Sequence, residues 1–64
     1  MTNTEANDKI QRILFHQTFE TVEYILGITK NTIYKRLRNE NKWTKAELFL
    51  IEKLKESDYI RQIK

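Results

Sequence analysis

The chain has 64 residues, a net charge of +3, no cysteine or proline, one glycine and one histidine. This length allows a single domain over residues 1–64, and the lack of cysteine excludes disulfides. One histidine without cysteine argues against a protein-only zinc site, and the scarcity of glycine and proline disfavours an all-β fold.

The first predicted helix runs from about Glu5 to Phe15. Its apolar residues Ile10, Ile13 and Leu14 follow the spacing of one helix face. We expect the polar residues 1–4 to be frayed, although Thr2 and Glu5 have the spacing of a capping box.

The second helix is predicted from its N-cap Thr18 to Leu26, with Val22, Ile25 and Leu26 on the buried face. Gly27 follows at once and predicts the end of the helix, because glycine adopts the left-handed conformation without a Cβ clash.

The third helix is predicted to begin after its N-cap Thr29 and to stop near Asn39. Ile28 and Ile33 have the spacing of a hydrophobic staple around that cap. Ile33 and Leu37 lie four residues apart and are expected to face the core.

The fourth helix is predicted from a capping box formed by Thr44 and Glu47, with Trp43 and Leu48 as the matching staple. The residues expected to face inward are Leu48, Ile51 and Leu54. Either a short fifth helix from Asp58 to Ile63 or a continuation of the fourth helix follows. The predicted fold class is therefore all-α, a compact bundle of four or five helices.

Three phenylalanines, Phe15, Phe19 and Phe49, are expected in the core beside Trp43. Four aromatic residues are many for so small a core, and any that stay exposed would mark a dimer surface. Further candidates for that surface, or for packing on the first helix, are Tyr59, Ile60 and Ile63.

Charge is concentrated in one stretch of the chain. Residues 30–45 carry six cations and one acid, which amounts to +5 and leaves −2 for the remainder. A basic patch on a slightly acidic body is typical of a nucleic-acid-binding protein, although a solvated charged face has the same composition.

The segment 18–38 is predicted to form two helices joined by a turn at 27–29, too short for antiparallel stacking. If the core lies between Ile33 and Leu37, residues Asn31, Lys35 and Arg38 point away from it. This outer face carries amide and cationic groups, which pair with base edges and phosphates.

The stretch TFETVEYILGITKNTIYKRLRNENKWTKAELFLIEKL resembles the Cro/phage-repressor (XRE) helix-turn-helix proteins, with most of the match in LGITKNTIYKRL. The resemblance implies a lambda-repressor-like fold, a phage or bacterial transcriptional regulator, and insertion of helix 30–38 into the major groove of double-stranded DNA. The implied base-reading residues are Thr29, Lys30, Asn31, Tyr34 and Lys35. The residues expected at phosphates are Thr18, Arg38, Lys42 and Lys45. Tyr34 is equally suited to packing beside Ile33.

Two positions depart from the family pattern. Glu23 replaces the usual alanine four residues before Gly27, so its carboxylate must reach solvent or pair, with Arg36 or Lys35 as partners. The loop after the third helix lacks the usual glycine turn and is slightly longer. Lys42 in that loop is placed to approach the DNA backbone.

No pattern in the sequence indicates an enzyme. His16 has no second histidine, cysteine or paired carboxylate, and no glycine-rich phosphate loop is present. We therefore expect no catalytic residues, metal, cofactor or small-molecule substrate. The longest apolar run, residues 48–51, is too short to span a membrane, so we expect a cytoplasmic protein.

Other functions stay open beside sequence-specific DNA binding. A protein-interaction module of the same fold would bind another regulator through apolar surface, as an antirepressor does. A non-specific DNA-binding or RNA-binding basic protein would bind any sequence with a steep salt dependence. A monomer this small makes few contacts, so we expect DNA binding to need a homodimer on half-sites about one helical turn apart.

Overall fold

The structure, a computed structural model, describes residues 1–59, and this part of the chain is all-helical without a strand. The helices are α1 (Asn3–His16), α2 (Phe19–Leu26), α3 (Lys30–Leu37), α4 (Lys45–Lys53) and α5 (Glu56–Tyr59). The predicted all-α class is confirmed. None of these helices has the length and apolar composition needed to cross a lipid bilayer.

Threonine caps the amino end of four helices. The caps are Thr2, Thr18, Thr29 and Thr44, each accepting a hydrogen bond from the backbone N–H three residues later. Glu5 and Glu47 complete the capping boxes of α1 and α4 by accepting from the backbone N–H of the cap. The box at Thr2 starts α1 at Asn3, two residues before the predicted start at Glu5.

The turns around α3 have backbone conformations that match the predicted stop signals. Gly27 adopts φ 67°, and its N–H donates to the Glu23 carbonyl at 2.7 Å. Asn39 adopts φ 61°, a left-handed conformation that asparagine tolerates better than most residues. The chain turns at this point, so α3 ends at Leu37, before the predicted stop near Asn39.

The core forms around α1, which packs against each of the other four helices. The buried apolar residues are Ala6, Ile10, Ile13, Val22, Leu26, Ile33, Trp43 and Ile51. Partly buried apolar residues packed against them include Leu14, Ile25, Leu37, Leu48 and Leu54. The inward faces predicted for the first four helices are therefore confirmed.

The prediction that three phenylalanines lie in the core holds only for Phe19, which packs against it. Phe15 is 85% exposed and Phe49 is 57% exposed. Each lies two positions from a fully buried isoleucine, Ile13 or Ile51, and two helical residues span about 200° of rotation. Burying the isoleucine therefore turns the phenylalanine toward solvent.

The alternative of a separate fifth helix is the one that the structure adopts. Leu54 takes an extended conformation and ends α4, and α5 begins at Glu56 rather than at Asp58. Arg12 Nη2 on α1 donates a hydrogen bond to Glu56 Oε1 at 2.6 Å, and the Gln17 amide donates to the Tyr59 carbonyl at 2.9 Å. The expectations for Ile60 and Ile63, and for helix as far as Ile63, lie outside the described residues.

Candidate nucleic-acid interface

The unit formed by α2, the turn at 27–29 and α3 supports most of the predicted site. Ile33 is fully buried and Leu37 is partly buried, which fixes α3 against α2 and α1. The opposite side of α3 faces solvent. Successive residues of a helix are rotated by about 100°, so a residue two positions from buried Ile33 or Leu37 lies on the far side of the helix. Asn31, Lys35 and Arg38 are exposed there, as the spacing predicted.

The exposed side of α3 has no carboxylate of its own, since its sequence is KNTIYKRL. Lys30 and Asn31 stand in the first turn, where the amino end of a helix presents unpaired backbone N–H groups. Lys35 is exposed one turn later. The outer side of α3 thus combines lysine side chains, the Asn31 amide and the free N–H groups of the helix end. These groups suit an anionic ligand that accepts hydrogen bonds.

Thr29 is partly committed to structure. Its Oγ1 accepts from the Thr32 N–H at 3.4 Å and shares a hydrogen bond with the Thr32 hydroxyl at 3.0 Å. A hydroxyl offers one donor and two acceptor positions, so one position is left for a ligand. Among the predicted base readers, Thr29 therefore has less capacity than Asn31.

Tyr34 is partly packed and partly exposed, and its contact with DNA stays a prediction. Its ring packs against Phe19 on α2, with centroids 4.7 Å apart and planes tilted by 35°. It is also 39% exposed on the outer side of α3. The Lys30 ammonium lies 5.2 Å from the Phe19 centroid and 5.7 Å from that of Tyr34. The rings of Phe19 and Tyr34 and the Lys30 ammonium therefore form one cluster at the contact between α2 and α3.

The four residues predicted at phosphates are all exposed, but the fold supports them unequally. Thr18 caps α2 beside Phe19, and Arg38 ends α3, so both adjoin the outer face of α3. Lys42 lies in the loop after α3. Lys45 begins α4, which packs on α1 and α2, so Lys45 is less directly tied to α3.

Arg38 is held by weak contacts only. Its guanidinium pairs with Glu40 at 3.3 Å and lies 5.9 Å from the Tyr34 ring centroid. Both members of the ion pair are largely exposed, and such pairs contribute about 0–1 kcal/mol. A phosphate group can therefore replace Glu40 as the partner of Arg38 at low cost.

Arg36 is removed from the basic patch by a pairing that the sequence did not indicate. Its Nε donates to Glu47 Oε1 at 3.1 Å and its Nη2 donates to Oε2 at 3.5 Å, with both side chains largely buried. Glu23, the partner suggested from sequence, is part-buried and makes no ion pair with Arg36. The Arg36–Glu47 pair joins α3 to the amino end of α4.

Glu47 stays ionised in spite of its burial. Burial alone would raise the pKa of Glu47, but the Thr44 backbone N–H and the Arg36 guanidinium together hold that pKa below 4.5, its ordinary value. The Thr44 N–H donates to Oε1 at 2.8 Å. The same carboxylate thus caps α4 and neutralises Arg36.

A network of asparagines holds the loop between α3 and α4. The Asn7 amide, buried on α1, donates to Asn39 Oδ1 at 3.0 Å and accepts from the Trp43 indole N–H. Asn3 Oδ1 accepts from the Trp43 backbone N–H at 2.8 Å. The carboxyl end of α3 and the following loop are therefore fastened to α1.

No family model, curated protein or solved structure matches the chain. The likeness to the phage-repressor family consequently stays a prediction from the residues quoted above. Within residues 1–59, no three His, Cys, Asp or Glu side chains come together as a metal site.

Proposed function

We propose that this protein binds double-stranded DNA sequence-specifically and that α2 and α3 act as a helix-turn-helix unit. The observation that carries the proposal is the outer face of α3. It presents Asn31, Lys35 and the first-turn N–H groups, α3 contributes no carboxylate of its own, and the helix is anchored by the fully buried Ile33. A regulatory role of phage or bacterial type is proposed from the resemblance.

Affinity comes mainly from cations that neutralise phosphates. Lys30, Lys35, Arg38 and Lys42 are exposed and lie on α3 or directly after it. Each contact with a phosphate releases counterions condensed on the duplex, which makes binding fall as salt rises. Thr18 adds a hydroxyl at the amino end of α2, and Lys45 adds a cation at the amino end of α4.

Specificity comes from the first turns of α3. The Asn31 amide is an acceptor and a donor on one planar group, which matches the N6 and N7 positions of adenine. Such a bidentate pair discriminates by about 1–3 kcal/mol against the wrong base. Lys30 and Lys35 suit the acceptors of guanine, and Thr29 offers its remaining hydroxyl position.

The proposal includes a homodimer, since one copy of α3 contacts only a few base pairs. Two copies on half-sites about one helical turn apart would double those contacts and require an inverted repeat. Phe49 and Leu50, both exposed on α4, are apolar side chains that suit such a contact.

A second function is favoured by the exposed aromatic residues. Phe15, Phe49 and Tyr24, which is 91% exposed, lie outside the α3 surface. A protein-interaction module would use them to bind another regulator and would have no salt-sensitive affinity for DNA.

Selection from a randomised duplex of about 30 base pairs, long enough for two half-sites, tests the proposal. The expected result is enrichment of one motif, arranged as an inverted repeat, with affinity that falls as salt is raised. Salt-sensitive binding without an enriched motif would identify a non-specific binder. Lack of binding at low salt would reject DNA binding and favour the protein-interaction module.

A further inference from the structure

The Phe19–Tyr34 pair is an apolar spot on an otherwise polar and cationic surface. Tyr34 is exposed over more than a third of its area, while its neighbours along the outer face of α3 are Asn31, Lys35 and Arg38. Phe19 is partly buried against the core and fixes one side of the Tyr34 ring. The position of this ring is thus set by the contact between α2 and α3.

The charges around the pair restrict what it can bind. Lys30 Nζ lies over both rings, and the Arg38 guanidinium lies over Tyr34. Arg38 is paired with the exposed Glu40, so Lys30 is the group that mainly repels a cationic ligand from the rings, although aromatic pairs otherwise suit cations. Ligand groups that fit here are apolar and belong to an anionic molecule.

The major groove contains one such group. Its floor presents hydrogen-bond donors and acceptors, and the 5-methyl of thymine is its only apolar substituent in unmodified DNA. An aromatic ring placed against the polar atoms would strip them of water without supplying a hydrogen bond. Against thymine, the same ring buries a methyl group and leaves the neighbouring phosphates to Lys30 and Arg38.

Resting on the proposed function, we infer that Tyr34, positioned by Phe19, reads thymine in each half-site by contact with its 5-methyl group. The ring selects thymine over cytosine and uracil at that position, beside the bases that Asn31 reads. Burial of one methyl group corresponds to a difference in affinity of about fourfold.

Uracil scanning of the selected duplex tests this inference. Each thymine is replaced in turn by deoxyuridine, which removes only the methyl group, and binding is measured by fluorescence anisotropy. We expect one position per half-site at which the wild-type protein loses affinity about fourfold. Tyr34→Phe keeps this loss, while Tyr34→Gln and Phe19→Leu abolish or reduce it.

Equal affinity for uracil and thymine at every position would overturn the inference while leaving DNA binding intact. A loss that persists undiminished in Tyr34→Gln and Phe19→Leu would overturn it as well. Tighter binding to the single strands than to the duplex would replace it with base stacking on the rings. Absence of any selected duplex would reject the proposed function, and the thymine contact with it.

Discussion

Asn7 is a buried polar residue on α1 that forms two long-range hydrogen bonds. Its amide accepts from the Trp43 indole and donates to Asn39, so one side chain joins α1, the loop and the core. Sequence pattern could not reveal this role, since an asparagine in an amphipathic helix is expected on the polar face. Its partners lie 32 and 36 residues away.

Substitution Asn7→Ala should lower the free energy of unfolding by about 2 kcal/mol, because it leaves the buried indole N–H of Trp43 without an acceptor. Urea denaturation followed by Trp43 fluorescence measures the loss. Asp8→Ala, at an exposed position next along α1, is the matched control and should change stability little. Equal effects of the two substitutions would show that the Asn7 network does not stabilise the fold.

Glu47 has one interaction that sequence spacing predicts and one that it does not. Its capping of α4 was predicted, because Thr44 lies three residues before it. Its pairing with Arg36 was missed, because nothing local links those two positions. The exposure of Asn31, Lys35 and Arg38 was predicted correctly because it also depends on a local signal, the rotation of successive residues around a helix.

The stabilising effect of Glu47 should depend on pH. The folded pKa of Glu47 lies below its unfolded value of 4.5, so its contribution is complete well above pH 4.5 and is lost as pH falls through the folded pKa. Glu47→Gln should therefore be clearly less stable than wild type at neutral pH and nearly equal to it at strongly acid pH. Denaturation across this range measures the difference, and a constant difference would contradict the assignment.

At the level of the helices, the sequence was most informative where signals are short-range. Threonine caps and Gly27 predicted the starts of α2, α3 and α4 and the end of α2. The ends of α3 and α4 were less predictable. The end of α3 depends on the hydrogen bond between Asn39 and Asn7 of α1, and the end of α4 depends on the extended conformation of Leu54. Likewise, apolar composition placed Phe15 and Phe49 inside, but limited core volume and helix rotation expose them.

Gly27 offers a test of the turn between α2 and α3. A Cβ at Gly27 would meet no atom within 4 Å, so only its left-handed backbone resists substitution. Gly27→Ala should cost about 1 kcal/mol of unfolding free energy, and Gly27→Asn should cost less, because asparagine tolerates this conformation. Thermal or urea unfolding of both variants decides the point. A cost for asparagine equal to that for alanine would contradict the backbone explanation.

At the scale of the whole molecule, positive charge is concentrated in the segment 30–45. Within residues 30–45, Arg36 is neutralised by its ion pair with Glu47. The cations that remain on α3 or directly after it are Lys30, Lys35, Arg38 and Lys42. Composition predicted the excess of charge. It could not show which cation is neutralised by an ion pair, because that depends on how close α3 comes to the amino end of α4.

In the proposed dimer, four phosphate contacts in each protomer correspond to a slope of about −7 in a plot of log affinity against log salt. Lys42→Gln removes one contact from each protomer and should make this slope shallower by about two. Lys55→Gln, at an exposed position between α4 and α5, removes the same charge outside the proposed surface and should leave the slope unchanged. Equal changes in the two variants would indicate attraction by net charge alone.

The most direct test of the account compares Asn31→Ala with Lys42→Ala on the selected duplex and on a random duplex of equal length. Fluorescence anisotropy gives the affinity of each variant for each duplex. We predict that Asn31→Ala loses affinity for the selected duplex by about 1–3 kcal/mol and little for the random one. Lys42→Ala should weaken binding to both duplexes alike. If the two variants behave the same on both duplexes, α3 does not read the base sequence.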